Sequence, residues 1–164
     1  MSEVIDLKQS KKTYLRCILI TLAVGALSAF LTRNNMDVYS NIEKPPLAPP
    51  GILFPIVWTI LYTIMGVSLS MVIIKGRTEG IYTYPSLKIY VYQLAVNFFW
   101  SIIFFNCRSF LFAFLWLVLL WVLIGIMIFR FYGINKLAAI LNIPYFLWVT
   151  FAAYLNLMIY ILNL

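Results

Sequence analysis

Gln93, Asn97 and Ser101 fall every four residues in YVYQLAVNFFWSIIFF, residues 90–105. On a helix they share one face, with Trp100 beside them. Uncharged polar groups in hydrocarbon need partners, so this face either hydrogen-bonds neighbouring helices or lines a cavity. The stripe alone favours helix-to-helix bonding. Trp58 and Tyr62 are spaced i, i+4, and Trp148, Ala152 and Asn156 repeat that spacing around a small residue. Large flat side chains with a polar handle, and a gap left by an alanine, suit a pocket for a flat apolar ligand. Trp and Tyr also gather at membrane interfaces, and a chain with five Trp, eleven Tyr and thirteen Phe makes some such pairs by chance. Spacing alone leaves both readings open.

Other chemistry is excluded more firmly. The chain has no histidine, and Cys17 and Cys107 stand far apart, so neither a Cys/His zinc site nor a disulfide framework finds its ligands. Asp37, Glu43 and Glu79 fall between apolar runs, leaving no general base beside a nucleophile. Ionisable residues are missing from the apolar runs themselves, which argues against a proton-coupled carrier, an ion pump or a voltage sensor. The net charge of +7 is spread through the breaks between runs and forms no nucleic-acid patch.

The elements that must position these residues follow from charge-free windows at 17–32, 45–74, 89–107, 109–129 and 137–164, against the roughly 20 residues a helix needs to cross hydrocarbon. With 64% hydrophobic and 10% charged residues, the expected fold is an all-α integral membrane protein, a single five-helix bundle. The spans are placed at about 13–32, 50–74, 87–106, 109–131 and 136–162, with Arg16 snorkelling to the headgroups. A cleaved signal peptide ending near Ala26–Ser28 is the alternative for the basic start; retention is the reading adopted. Pro55 near the start of the second span and Pro144 about two turns into the fifth each kink a helix or mark its first turn. Gly133 and Asn135 read as C′ and N-cap residues between the last two spans, and Asn106 to Ser109 as a tight hairpin. Thr21, Gly25 and Ala29 offer the first span a seam of small residues.

Nine of the twelve Lys and Arg fall in the N-terminal segment and in the breaks at 75–88 and 130–136; Arg33, Lys44 and Arg108 fall on the other side. The positive-inside rule then places the N-terminus in the cytoplasm and the C-terminus outside, together with the proline-rich segment at about 33–50.

Four stretches in order, KPPLAPPG, VWTILYTIMG, QLAVNFFWSIIFF and IPYFLWVTFAAYLN, resemble the tryptophan-rich sensory protein/translocator protein (TspO/MBR) family, from about Tyr39 to Asn163. The resemblance implies a five-helix bundle whose first loop closes a ligand cavity among the helices. Pro45, Pro46, Pro49 and Pro50 would stiffen that loop, fixing φ and lowering the entropy lost when it settles as a lid. The family's pocket motif maps onto Tyr39, Pro49, Trp58, Tyr62, Asn97, Trp100, Ser101, Trp148 and Ala152, which turns the polar stripe from helix bonding to pocket lining. Leu47 stands where the family's lid commonly has tryptophan, and Val38 where an aromatic is common. The sterol-recognition pattern of Leu or Val, Tyr, then Lys or Arg is missing, because no basic residue follows Lys136.

What the resemblance implies about function is a receptor or sensor in a bacterial cytoplasmic membrane that binds porphyrins such as protoporphyrin IX, as a homodimer surrounded by lipid and with no separate cofactor. The alternatives are an enzyme breaking down porphyrin in light, with Trp58 and Trp148 as its catalytic residues, and a transporter of porphyrins or other lipophiles.

Overall fold

The computed structural model describes residues 2–164, with side chains from Lys8 onward. All regular structure among the described residues is helical: α1 Ser2–Thr32, a 3-10 turn Arg33–Asn35, α2 Asp37–Asn41, α3 Leu53–Glu79, α4 Tyr84–Ser101 running into a π-helical turn Ile102–Asn106, α5 Phe110–Tyr132, α6 Lys136–Ile140 and α7 Ile143–Leu162. Five stretches are long and apolar enough to cross a membrane: Lys8–Asn35, Leu53–Glu79, Tyr84–Asn106, Phe110–Tyr132 and Lys136–Leu162. The chain is an all-α integral membrane protein.

Lipid supplies no hydrophobic drive between helices, so their association rests on close packing and interhelical hydrogen bonds. Both are visible. α5 packs between α4 and α7 and buries Ala113, Leu117, Leu120, Ile124, Met127 and Phe131 completely, a spacing of three and four that keeps one face toward the bundle. α1 lies against α3, where a Cβ on Gly66 would sit 2.6 Å from Ile18 Cα and 3.1 Å from the Cys17 carbonyl, and one on Gly25 would enter the Tyr62 ring. Across to α4, the Thr21 hydroxyl lies 2.8 Å from the Tyr90 hydroxyl, and Ser28 donates to the Phe98 carbonyl at 3.0 Å. The small-residue seam of α1 therefore runs Thr21, Gly25, Ser28 and Thr32, with Ala29 exposed. A strict four-residue step drifts off a 3.6-residue face, which is why Ala29 does not belong to it.

Several boundaries differ from the sequence expectation. Helix α1 begins at Ser2, well before residue 13. The second span runs on to Glu79, because Lys75 and Glu79 pair at 3.8 Å along the helix and its end is set by Gly80, at φ +67, whose N–H donates to the Gly76 carbonyl. Asn135 does cap α6, accepting from Ala138 N–H at 3.1 Å, but Gly133 has φ −65 and is not left-handed. Pro144 does not kink a continuous helix: the fifth span breaks at Leu141–Asn142, and Pro144 sits in the first turn of α7, where its missing N–H costs nothing.

Candidate functional site

The residues singled out from the sequence come from four elements. Tyr39 is on α2, Trp58 and Tyr62 on α3, Asn97, Trp100 and Ser101 on α4, and Trp148 and Ala152 on α7, with Pro49 in the segment between α2 and α3. Two aromatic groups gather most of them. In the first, Trp58 packs against Tyr62 at 5.5 Å between ring centroids, Trp100 at 6.4 Å and Tyr145 at 6.1 Å. In the second, Tyr39 meets Phe54 edge-on at 5.1 Å and Phe54 meets Trp148 at 6.0 Å. Phe54 and Trp58 are one helical turn apart on α3, so the two groups form a continuous aromatic lining from the proline segment into the bundle.

The polar stripe is hydrogen-bonded. Tyr145, wholly buried, donates to Gln93 Oε1 at 2.8 Å and accepts from Asn97 Nδ2 at 2.9 Å, tying α4 to α7 through one phenol. Trp100 Nε1 donates to Asn156 Oδ1 at 3.3 Å, and Asn156 Nδ2 returns to the Ala152 carbonyl at 2.8 Å. Ser101, the stripe's third member, is half-buried. It stands where α4 passes into the π-helical turn, whose i→i+5 bonds change the register of everything beyond it. Two buried donors have no partner among the described residues: Gln93 Nε2 and Trp148 Nε1. Buried polar atoms are nearly always satisfied, so these two donors are exceptions within the bundle.

The proline segment covers this region through specific latches. The Tyr39 hydroxyl donates to the Pro49 carbonyl at 2.8 Å, and burial pushes the Tyr39 phenol above the ordinary tyrosine pKa, keeping it a donor. Asn163, just past α7, accepts from Glu43 N–H and donates to the Glu43 carbonyl, both at 3.0 Å. Tyr154 donates to the Pro46 carbonyl at 3.4 Å. Leu47 is 80% exposed, with φ +73, and so points away from the aromatic lining. Val38 is buried.

A sequence profile of the TspO/MBR family matches residues 17–162. The chain belongs to the TspO/MBR family. It is 38% identical over 148 residues to the tryptophan-rich protein TspO of Chlorobaculum tepidum, covering 90% of this chain and 93% of that protein. It is 34% identical over 126 residues to the protein CrtK of Rhodobacter capsulatus, 76% of this chain and 78% of that one. The translocator protein of Sus scrofa is 32% identical over 140 residues, 81% of this chain and 82% of its own length.

Against this TspO/MBR background, two residues of the site escaped sequence reasoning. Tyr145 is the polar node, and its signal was present: Tyr145, Val149, Ala152 and Asn156 step by four, three and four along the buried face of α7. Phe54 joins Tyr39 to Trp148 but sits in an apolar run where nothing sets it apart.

Proposed function

We propose that this TspO/MBR protein is a membrane receptor whose output is the binding of a flat, largely apolar ligand carrying hydrogen-bond acceptors, with protoporphyrin IX as the representative. The observation that carries this reading is the aromatic lining of Tyr39, Phe54, Trp58, Trp100 and Trp148 beneath a latched, proline-stiffened cover, with the Trp148 indole N–H unpartnered beside it. Broad ring faces supply stacking area, and the free indole N–H supplies orientation. The rings touch one another, so a ligand enters by lifting the cover and parting them. A cover held by a few hydrogen bonds, each contributing about 0.5–1.5 kcal/mol, opens at modest cost.

In this reading the receptor lies in a bacterial cytoplasmic membrane as a homodimer, N-terminus inside and cover outside. Native cysteines test the orientation. Cys107, between α4 and α5, is exposed and Cys17 is buried, so a membrane-impermeant maleimide should label Cys107 in intact cells. Labelling only after permeabilisation would reverse the topology.

One experiment separates the receptor from its rivals: purified protein with protoporphyrin IX, followed in the dark and then under illumination. Quenched tryptophan fluorescence with an unchanged porphyrin spectrum is expected. Light-dependent conversion to a new pigment would make the protein an enzyme, and porphyrin flux into proteoliposomes would make it a transporter.

A further inference from the structure

We propose that the recess between the start of α4 and the end of α5 is a binding site for the phosphate headgroup of an anionic phospholipid. The site is separate from the aromatic lining and does not depend on the receptor reading. The recess has a volume of about 410 Å³ and is lined by Tyr82, Ser86, Arg130, Tyr132 and Ile134 among others, with no carboxylate among its lining residues.

Three observations converge on it. Arg130 supplies an exposed guanidinium, the side chain best matched to a phosphate by its planar fork of donors. It forms no ion pair among the described residues; the pair they show is Lys75 with Glu79. Ser86 is buried to 4% exposure yet lines the recess, and its hydroxyl forms no hydrogen bond among the described residues, so it is a free short-range donor facing the same space. Around the rim, Tyr82 and Tyr132 are 75% and 53% exposed, Tyr82 stacks on Tyr84 at 6.2 Å, and Lys136 lies 5.7 Å from the Tyr132 ring centroid. Amphipathic rings at this height mark the headgroup level.

The position along the bundle fits the same occupant. The recess opens at the end bearing nine of the twelve Lys and Arg, including Lys75, Arg77, Lys88 and Lys136, so the local field attracts anions. Beside it, Phe129 is 78% exposed and offers an apolar surface to acyl chains just below a headgroup held by Arg130. Basic recesses between membrane helices bind acidic lipid headgroups for these reasons. A soluble phosphate would use Arg130 and Ser86 but gain nothing from Phe129 or the tyrosine rim.

The test is native mass spectrometry of the full chain released from nanodiscs of phosphatidylcholine with about 20% phosphatidylglycerol; a basic residue near an anionic lipid surface contributes roughly 1 kcal/mol, or about fivefold in occupancy. Wild type should retain phosphatidylglycerol over phosphatidylcholine. Arg130→Ala and Ser86→Ala should each lower that enrichment, the former about fivefold, while Arg130→Lys keeps part of it and Arg33→Ala, at the other end, leaves it intact. Thermal unfolding of each variant in the same nanodiscs identifies any that misfold, and Ser86→Ala, which removes one oxygen, stands in for Arg130→Ala if that variant does. Equal retention of the two lipids by wild type, or undiminished enrichment in both Ala variants, overturns the proposal. So does loss of bound phosphatidylglycerol to millimolar inorganic phosphate, which would make this a soluble-anion site.

Discussion

Tyr145→Phe removes one oxygen atom from the centre of the bundle and nothing else. That oxygen donates to Gln93 Oε1 at 2.8 Å and accepts from Asn97 Nδ2 at 2.9 Å, so both bonds that Tyr145 makes from α7 to α4 vanish together, while Trp100 keeps its bond to Asn156. At the intramembrane mean of about 0.6 kcal/mol per bond the loss is about 1.2 kcal/mol, and at the measured ceiling of about 1.7 it is about 3.4. The upper half of this range applies, because Gln93 Nε2 is already unpartnered and the substitution leaves both ends of a fully buried amide unsatisfied. Phenylalanine keeps the ring packed on Trp58, so no cavity cost is added. Unfolding in mixed micelles of mild detergent and dodecyl sulfate should therefore show Tyr145→Phe destabilised by about 2–3 kcal/mol. Asn97→Leu in the same assay gives a double-mutant cycle in which the two losses do not add. A cost below about 0.3 kcal/mol, or full additivity, would refute the tyrosine bridge.

Trp58→Phe and Trp148→Phe keep flat walls, so dark porphyrin binding should persist within about tenfold, roughly 1.4 kcal/mol, whereas any light-driven porphyrin loss should collapse in both because phenylalanine is much harder to oxidise than indole; equal loss of binding and photochemistry would make them walls alone. Asn163→Ala removes both bonds to Glu43 and should speed ligand entry about five- to thirtyfold, for about 1–2 kcal/mol of latch strength, with little change in unfolding; stopped-flow quenching checks it, and an unchanged on-rate would show that the cover does not gate entry. Gly66→Ala drives a methyl into the Ile18 backbone and should cost about 1–3 kcal/mol by overpacking, read as earlier unfolding, whereas a neutral result would mean α1 and α3 are further apart. Because burial raises the Tyr39 pKa, its latch to Pro49 is intact below pH 10 and weakens as pH rises through the raised value, so ligand entry should accelerate only in strongly alkaline buffer and Tyr39→Phe should abolish that acceleration.

Span number and the polar face of α4 were legible because both rest on simple physics: charges are expelled from hydrocarbon, and a 3.6-residue period puts Gln93 and Asn97 on one side. Helix ends were less legible. Charge-free windows stop at Lys75, yet α3 continues to Glu79 because an ion pair along the helix and a left-handed glycine set its true end. The sequence leaves Pro144 as either a kink or a first-turn residue, since it carries the same missing N–H in either position, and only the placement of Asn142, which donates to Ser68 Oγ at 2.6 Å, shows where the chain turns. Among the candidate residues the rings are picked out by type, but which rings touch depends on tertiary placement: Tyr145 is marked only by its step along the buried face of α7, and Phe54, which joins Tyr39 to Trp148, carries no local mark of it. The polar stripe remained ambiguous for a related reason. A buried amide needs a partner whether that partner is protein or ligand, and here Asn97 has found one in protein while Gln93 has found only half of its own.

Whether the aromatic lining beneath the proline cover binds a ligand is decided by an equilibrium titration of the protein in nanodiscs with protoporphyrin IX in the dark. Tryptophan quenching should saturate at one porphyrin per chain, and Trp58→Leu, which removes the wall between Tyr62 and Trp100, should weaken binding more than tenfold, or roughly 1.4 kcal/mol. Non-saturating uptake equal to that of empty nanodiscs, or an unchanged affinity in Trp58→Leu, would contradict binding there.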